Sequence, residues 1–199
     1  DLVNWENEGV ILACTPQGDL KGPMRFERAK IIYNDQTKKF VMWFHYVNAP
    51  GKHGFNIGEG DAGVATCDTI NGTYEFHGYH RPLGSDMRVT DCTLFKDDDG
   101  KAYFIFDSGS PKKRGDRYQY IASLSDDYLK TTKVSKIPNS KRREAPAMIK
   151  KNGYYFLITS GLTSWNPNPA KVHRATNIWG PYEDLGNFCV GEKREITFN

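Results

Sequence analysis

The chain has 199 residues, 38% hydrophobic and 26% charged, with a formal net charge of +3. This length and composition fit a folded globular chain with a sizeable core and exclude a disordered one. The small charge, with short and separated basic runs at Lys112-Lys113-Arg114 and Lys141-Arg142-Arg143, argues against nucleic acid as a partner, and no apolar run is long enough to cross a membrane.

Residues 1–25 do not read as a signal peptide and are expected to supply the end of an early repeat unit. A short apolar strand at 29–32 then leads through the turn Asn34-Asp35-Gln36-Thr37-Lys38-Lys39 into Phe40-Val41-Met42-Trp43-Phe44-His45. A Gly-rich loop, 51–63, carries His53 and Phe55 and is positioned to fold over a site. Gly63-Val64-Ala65-Thr66-Cys67 is the next strand, followed by a turn at Asn71-Gly72-Thr73 that also fits a glycosylation acceptor.

The pattern then recurs. A strand at 92–95, the turn Lys96-Asp97-Asp98-Asp99-Gly100-Lys101 and the strand Ala102-Tyr103-Phe104-Ile105-Phe106 precede Tyr120-Ile121-Ala122-Ser123-Leu124. A strand at 147–149, the turn Lys150-Lys151-Asn152-Gly153 and the strand Tyr154-Tyr155-Phe156-Leu157-Ile158 precede Lys171-Val172-His173-Arg174-Ala175. Asp-Gly and Asn-Gly suit tight hairpins because both residues tolerate positive φ. Trp179-Gly180-Pro181 reads as a turn and a packing anchor. The turn Asp97-Asp98-Asp99-Gly100 lacks the alternating ligands and terminal Glu of a calcium loop. The cysteines at 14, 67, 92 and 189 and the five histidines form no metal-like pair, so no cofactor is expected, a structural calcium being left open without a sequence motif to support it. The cysteines read as free thiols ahead of disulfides.

Repeated four-stranded units without helical periodicity predict an all-β chain and favour a β-propeller over a β-sandwich. Residues 26–80, 88–138 and 143–191 are successive blades, and 192–199 begin the next. About three blades do not close a ring, so a larger propeller is expected.

In a propeller the first strand of each blade lines the axis. The residues just before those strands are Glu27-Arg28, Arg88 to Asp91, and Arg143-Glu144, all at one phase of the repeat. Acids with adjacent arginines in equivalent places point to glycoside cleavage, which needs a protonated carboxyl beside the leaving oxygen. A second carboxylate or an apolar wall keeps such a carboxyl protonated near neutrality. Glu144 is the candidate acid, Asp91 the candidate tuning group, and Glu27 the candidate for orienting sugar hydroxyls or water. Arg28, Arg88 and Arg143 would offset repulsion among the acids. Trp165 would cover a sugar face, with Asn166 and Asn168 reading its hydroxyl rim, and His45 and Tyr46 would reach the cavity edge. The alternative is a set of structural Arg–carboxylate pairs lining a polar channel.

The motifs Phe26-Glu27-Arg28-Ala29-Lys30-Ile31-Ile32-Tyr33-Asn34, Thr90-Asp91-Cys92-Thr93-Leu94-Phe95, Leu124-Ser125-Asp126-Asp127-Tyr128-Leu129, Glu144-Ala145-Pro146-Ala147-Met148 and Trp165-Asn166-Pro167-Asn168-Pro169-Ala170 resemble glycoside hydrolase family 43, above all its exo-β-1,3-galactanase branch. The resemblance implies a five-bladed propeller that inverts anomeric configuration. It casts Glu144 as general acid, Asp91 as the pKa-tuning residue and Glu27 as a sugar contact. In that branch a Gln on the fourth blade takes part on the base side, which puts its counterpart past Asn199. Ala29 stands where similar sequences have Pro. The implied partner is galactan or a related saccharide, with the remaining blades or a carbohydrate-binding module attached, in a secreted or periplasmic setting. A β-xylosidase or α-arabinofuranosidase, a noncatalytic carbohydrate-binding propeller and a protein-binding scaffold are the alternatives.

Overall fold

The computed structural model describes residues 3–22, 24–48, 60–84, 87–109 and 116–196. His53, Phe55 and the run Lys112-Lys113-Arg114 lie outside them. The described residues are nearly all strand and loop, with one short 3-10 turn at Arg194–Ile196.

Twelve strands follow in chain order: β1 (Met24–Asn34), β2 (Lys39–Asn48), β3 (Asp61–Cys67), β4 (Glu75–His80), β5 (Arg88–Lys96), β6 (Ala102–Gly109), β7 (Arg117–Leu124), β8 (Thr131–Lys136), β9 (Arg143–Lys151), β10 (Tyr154–Gly161), β11 (Lys171–Ala175) and β12 (Glu183–Asp184). They form three antiparallel four-stranded sheets in sequential order, β1 to β4, β5 to β8 and β9 to β12. Each sheet is thus a simple meander, and the three inner strands β1, β5 and β9 lie side by side.

Turn chemistry sets the registers. Asn152 and Gly153 have φ of 51° and 77° between the paired Lys151 and Tyr154, so the two-residue loop takes the twist that suits a hairpin. In the second sheet the Asp97 amide donates to the Lys101 carbonyl, and Gly100 turns the chain at φ 82°. The Asp97 carboxylate accepts from Lys150 Nζ and Tyr155 Oη at 2.5 Å each, while Asp99 is engaged by Lys101 at 2.7 Å. These carboxylates therefore serve as ties rather than as a ligand shell. Lys96 ties the first two sheets in the same way, through Asp35 and the Tyr33 carbonyl.

The sheets pack face to face. β6, with the sequence Ala-Tyr-Phe-Ile-Phe-Asp-Ser-Gly, is buried on both faces because it sits between two neighbours. On one side Phe104 and Phe106 meet Val41, Trp43 and Val64 of the first sheet. Trp43 also donates its indole N–H to the Tyr128 carbonyl at 2.8 Å. On the other side Tyr103 and Ile105 meet Met148, Tyr155, Leu157 and Ile178 of the third sheet. Trp179 packs edge-on against Tyr103 with centroids 5.7 Å apart.

The described residues at both ends lie outside the twelve strands. Residues 3–22 form no strand. Ile11, Leu12 and Leu20 instead cover the free apolar face of the first sheet, formed by Met42, Phe44, Tyr46 and Tyr74. That face would otherwise leave several aromatic rings in water, so this segment belongs to the first sheet. Residues 194–196 form a 3-10 turn, not a strand. All four cysteines are free, with Cys92 buried and its thiol pushed up to about 12 by desolvation.

Candidate active site

Each inner strand carries a bulge at the same level. Pairing between β1 and β2 slips between Glu27 and Lys30, so Arg28 and Ala29 oppose Phe44 alone. Between β5 and β6, Thr90 and Asp91 oppose Asp107. Between β9 and β10, Ala145 and Pro146 oppose Thr159. A bulge places two residues against one and re-aims the side chains around it. Arg28 and Ala145 are held at φ of 57° and 50°, a left-handed conformation costing about 1–2 kcal/mol for residues with a Cβ. The repeated, strained bulges turn Glu27, Arg28, Asp91 and Glu144 toward one another at the end of the inner strands opposite the lysine ties.

Asp91 joins the three strands. It accepts from Arg28 Nε at 2.8 Å and Nη2 at 3.3 Å, and from the Ala145 amide at 3.1 Å. The second contact fixes the residue after Glu144. Glu144 has a side chain only 16% exposed, and its Oε2 lies 3.6 Å from Arg117 Nη1. Burial pushes the Glu144 carboxyl up to about 7. Arg117 and Arg28 pull it down, while Asp91 and Asp107 add to the rise. Burial lowers the Arg28 guanidinium, but Asp91, Glu144 and Glu27 outweigh it and raise the group. Arg28 is therefore the cation shared by all three acids. A carboxyl raised toward neutrality beside a second, hydrogen-bonded acid is an arrangement that can deliver a proton at neutral pH.

Glu27 is more open, with a 44% exposed side chain, and its Oε2 meets His45 Nδ1 at 3.1 Å. His45 is buried and its ring is driven toward the neutral form by desolvation, so it orients Glu27 rather than reaching a cavity edge. Tyr46 is a correction as well. Its ring stacks on Tyr79 at 4.6 Å within the first sheet's outer cluster, and its hydroxyl donates to the Asp19 carbonyl.

The other arginines divide. Arg143 is buried and donates to Thr159 Oγ1 at 3.0 Å, the Thr159 carbonyl at 2.6 Å and the Pro169 carbonyl at 3.0 Å. All three of its hydrogen bonds clamp the loop after β10, and it acts on Glu144 through charge alone. Arg88 sits beside Arg117 and Asp107, and desolvation lowers its guanidinium. In the same loop Asn168 is buried, accepting from the Gly161 amide at 2.6 Å and donating to Thr163 Oγ1 at 2.9 Å. Both amide ends are used internally, so Asn168 shapes the loop and does not read a sugar rim. Trp165, 82% exposed, and Asn166, also exposed, lie on its outside, with the Asn166 backbone tied to Thr163.

Sequence reasoning missed Thr90, Asp107 and Arg117. Asp107 is wholly buried, accepts from Thr90 Oγ1 at 2.6 Å and pairs with Arg117 Nη2. Its signal was present: a lone acid ending the apolar run Ala-Tyr-Phe-Ile-Phe, at the position that opposes the bulge. Among the described residues no group of His, Cys, Asp and Glu is arranged to hold a metal.

Comparison with known proteins gives the family. The family model for glycosyl hydrolases family 43 matches residues 1–193. A family 43 β-1,3-galactosidase solved with galactodeoxynojirimycin is 33% identical, with a TM-score of 0.86 over 99% of this chain and 68% of that one. The exo-β-1,3-galactanase of Clostridium thermocellum is 35% identical, with a TM-score of 0.80 over 94% of this chain and 40% of that one. The enzyme of the same activity from Phanerochaete chrysosporium, solved with galactose, gives 32% identity and a TM-score of 0.79 over 94% and 41%. Among curated proteins, a xylan 1,3-β-xylosidase of Vibrio is 28% identical over 92% of this chain, and a β-xylosidase of Bacillus subtilis is 30% identical over the same share. The chain spans about a third of the length of these curated relatives, 34% in each case. The match to the family model over nearly the whole chain establishes that it belongs to glycosyl hydrolases family 43.

Proposed function

We propose that this chain supplies the acid side of the active site of a five-bladed β-propeller glycoside hydrolase. The substrate is β-1,3-linked galactan, cut from the non-reducing end with inversion. The observation that carries the reading is Glu144 at a strained bulge, its carboxyl pushed up to about 7 by burial, between Asp91 and the cations Arg117 and Arg28. Likeness to several β-1,3-galactan-cleaving enzymes supports the substrate.

In this reading the glycosidic oxygen takes the Glu144 proton as its bond to the anomeric carbon breaks. Water adds from the opposite face and gives its proton to a base-side group on a later blade. Asp91 holds Ala145, and through it Glu144, at the correct height, and its negative charge discourages early loss of the proton. Glu27, steered by His45, accepts hydrogen bonds from hydroxyls of the bound sugar. Trp165 offers its indole face to an adjoining sugar, with Asn166 beside it. A polysaccharide substrate implies a secreted or periplasmic enzyme.

The curated xylosidases favour a second reading, a β-xyloside or α-arabinofuranoside substrate in the same site. The test is sugar release by the full-length protein from β-1,3-galactan, β-1,3-xylan and arabinan, with the first-formed anomer followed by proton NMR. Galactose appearing first as its α-anomer is expected. Xylose or arabinose release without galactose moves the substrate to the second reading, and a first-formed β-galactose contradicts inversion.

A further inference from the structure

Behind Glu144 lies a second row of charge that the proposed reaction does not use. Arg117 opens β7, and its stem crosses Gly109, the partner of Arg117 in the β6–β7 ladder. A Cβ on Gly109 would fall 2.6 Å from Arg117 Cγ and 2.7 Å from the Asp116 carbonyl oxygen, so only glycine leaves room for the arginine there. One terminal nitrogen, Nη2, is gripped by the buried Asp107 and by Thr90 Oγ1 at 2.6 Å. The other, Nη1, points to Glu144 at 3.6 Å. Thr90 in turn donates to Asp107 at 2.6 Å and belongs to the bulge that presents Asp91. The guanidinium is thus locked from behind and turns its other terminal nitrogen to the candidate acid.

We propose that Arg117, braced by Asp107 and Thr90 across Gly109, is a positioning residue that holds the Glu144 carboxyl in place and balances its charge. This inference rests on the reading of Glu144 as proton donor. Every charged group facing Glu144 takes part in the balance. Arg28 from β1, Arg117 from β7 and Arg143 from β9 favour its ionised form, whereas Asp91 from β5 and Asp107 from β6 disfavour it. Burial alone would make Glu144 hold its proton too tightly to donate it well. Arg117 is the strongest opposing influence on this carboxyl, and Asp107 limits how much of its charge Glu144 feels.

The two members of the buried pair should therefore move Glu144 in opposite directions. In the full-length protein, Glu144 is titrated by carbon NMR of its side-chain carboxyl, and kcat/KM on a β-1,3-linked disaccharide is followed against pH. Arg117→Met is expected to raise the Glu144 midpoint and the basic limb of the profile by about one pH unit. Asp107→Asn is expected to lower both. Arg117→Lys, which keeps the charge but loses the fork, should restore the midpoint to within a few tenths of a unit while recovering kcat only in part. Residues that merely support the fold would lower activity and leave the midpoint unchanged, which overturns the inference. Should Arg117→Met fail to fold, Asp107→Asn decides alone, and an unmoved midpoint there is equally fatal. Full activity of Glu144→Gln on the same disaccharide would instead sink the proton-donor reading, while opposed NMR shifts would still establish the coupling of Arg117 and Asp107 to Glu144.

Discussion

Replacing Glu144 by Gln should stabilise the fold at alkaline pH while removing turnover. The carboxyl is raised from an ordinary 4.5 to about 7, chiefly by burial, so the folded state prefers its neutral form. Such a group adds its full stability below the unfolded pKa and loses it as pH rises through the folded one. Raising the carboxyl from 4.5 to about 7, at about 1.4 kcal/mol per pH unit, gives an upper value of about 3.5 kcal/mol. Gln has similar shape and never ionises, so it escapes that loss. Urea unfolding of the two proteins at about pH 4, 5.5, 7 and 8.5 isolates the contribution of residue 144, because every other titrating group is common to both. The difference should be near zero at the acid end, grow between about pH 5 and 7, and reach about 2–3 kcal/mol in favour of the variant at the alkaline end. A difference independent of pH, or a variant less stable than wild type at about pH 8.5, would refute a desolvated Glu144.

Other substitutions separate architecture from chemistry. Arg143→Met removes three buried donors and strands the Thr159 and Pro169 carbonyls. It should cost about 3 kcal/mol in urea unfolding and move the basic limb of the pH profile far less than Arg117→Met does; a limb moved as far as by Arg117→Met, with unchanged stability, would contradict a chiefly structural clamp. Trp165→Ala, at an exposed position, should leave the melting temperature unchanged and raise KM severalfold on long substrates, and an unchanged KM would remove Trp165 from the binding surface. Asp97→Asn weakens the tie to Lys150 and Tyr155 between the second and third sheets. Its expected cost is about 1–2 kcal/mol, read as a lower urea midpoint, and a midpoint equal to wild type would show the tie to be idle.

The meander sheets were legible because their signals are local. Apolar alternation, Asp-Gly and Asn-Gly turns, and a repeat of whole hairpins survive in a single sequence. The bulges were not, since an extra residue in one strand appears only when the partner strand is in register. Their consequence was nevertheless visible as a phase: Glu27, Asp91 and Glu144 occupy equivalent places, and the structure brings Arg28 into contact with Asp91 and among all three acids. Adjacency in sequence misled for Arg143, because neighbouring residues on a strand point to opposite faces. While Glu144 turns toward Asp91 and Arg117, Arg143 turns into the loop that ends at Pro169. Polarity misled for Tyr46 and Asn168, whose polar atoms satisfy backbone groups. Asp107 and Arg117 needed three-dimensional pairing across β6 and β7 to be seen as one device.

Paired hydrolysis rates of wild type and Glu144→Gln on two substrates with different leaving groups test the central claim most directly. β-1,3-Galactobiose needs its departing oxygen protonated, whereas 2,4-dinitrophenyl β-galactoside does not. If Glu144 donates the proton, the variant should lose at least about a hundredfold in kcat/KM on the disaccharide and far less on the aryl galactoside. Equal losses on both substrates, or none on the disaccharide, would contradict it.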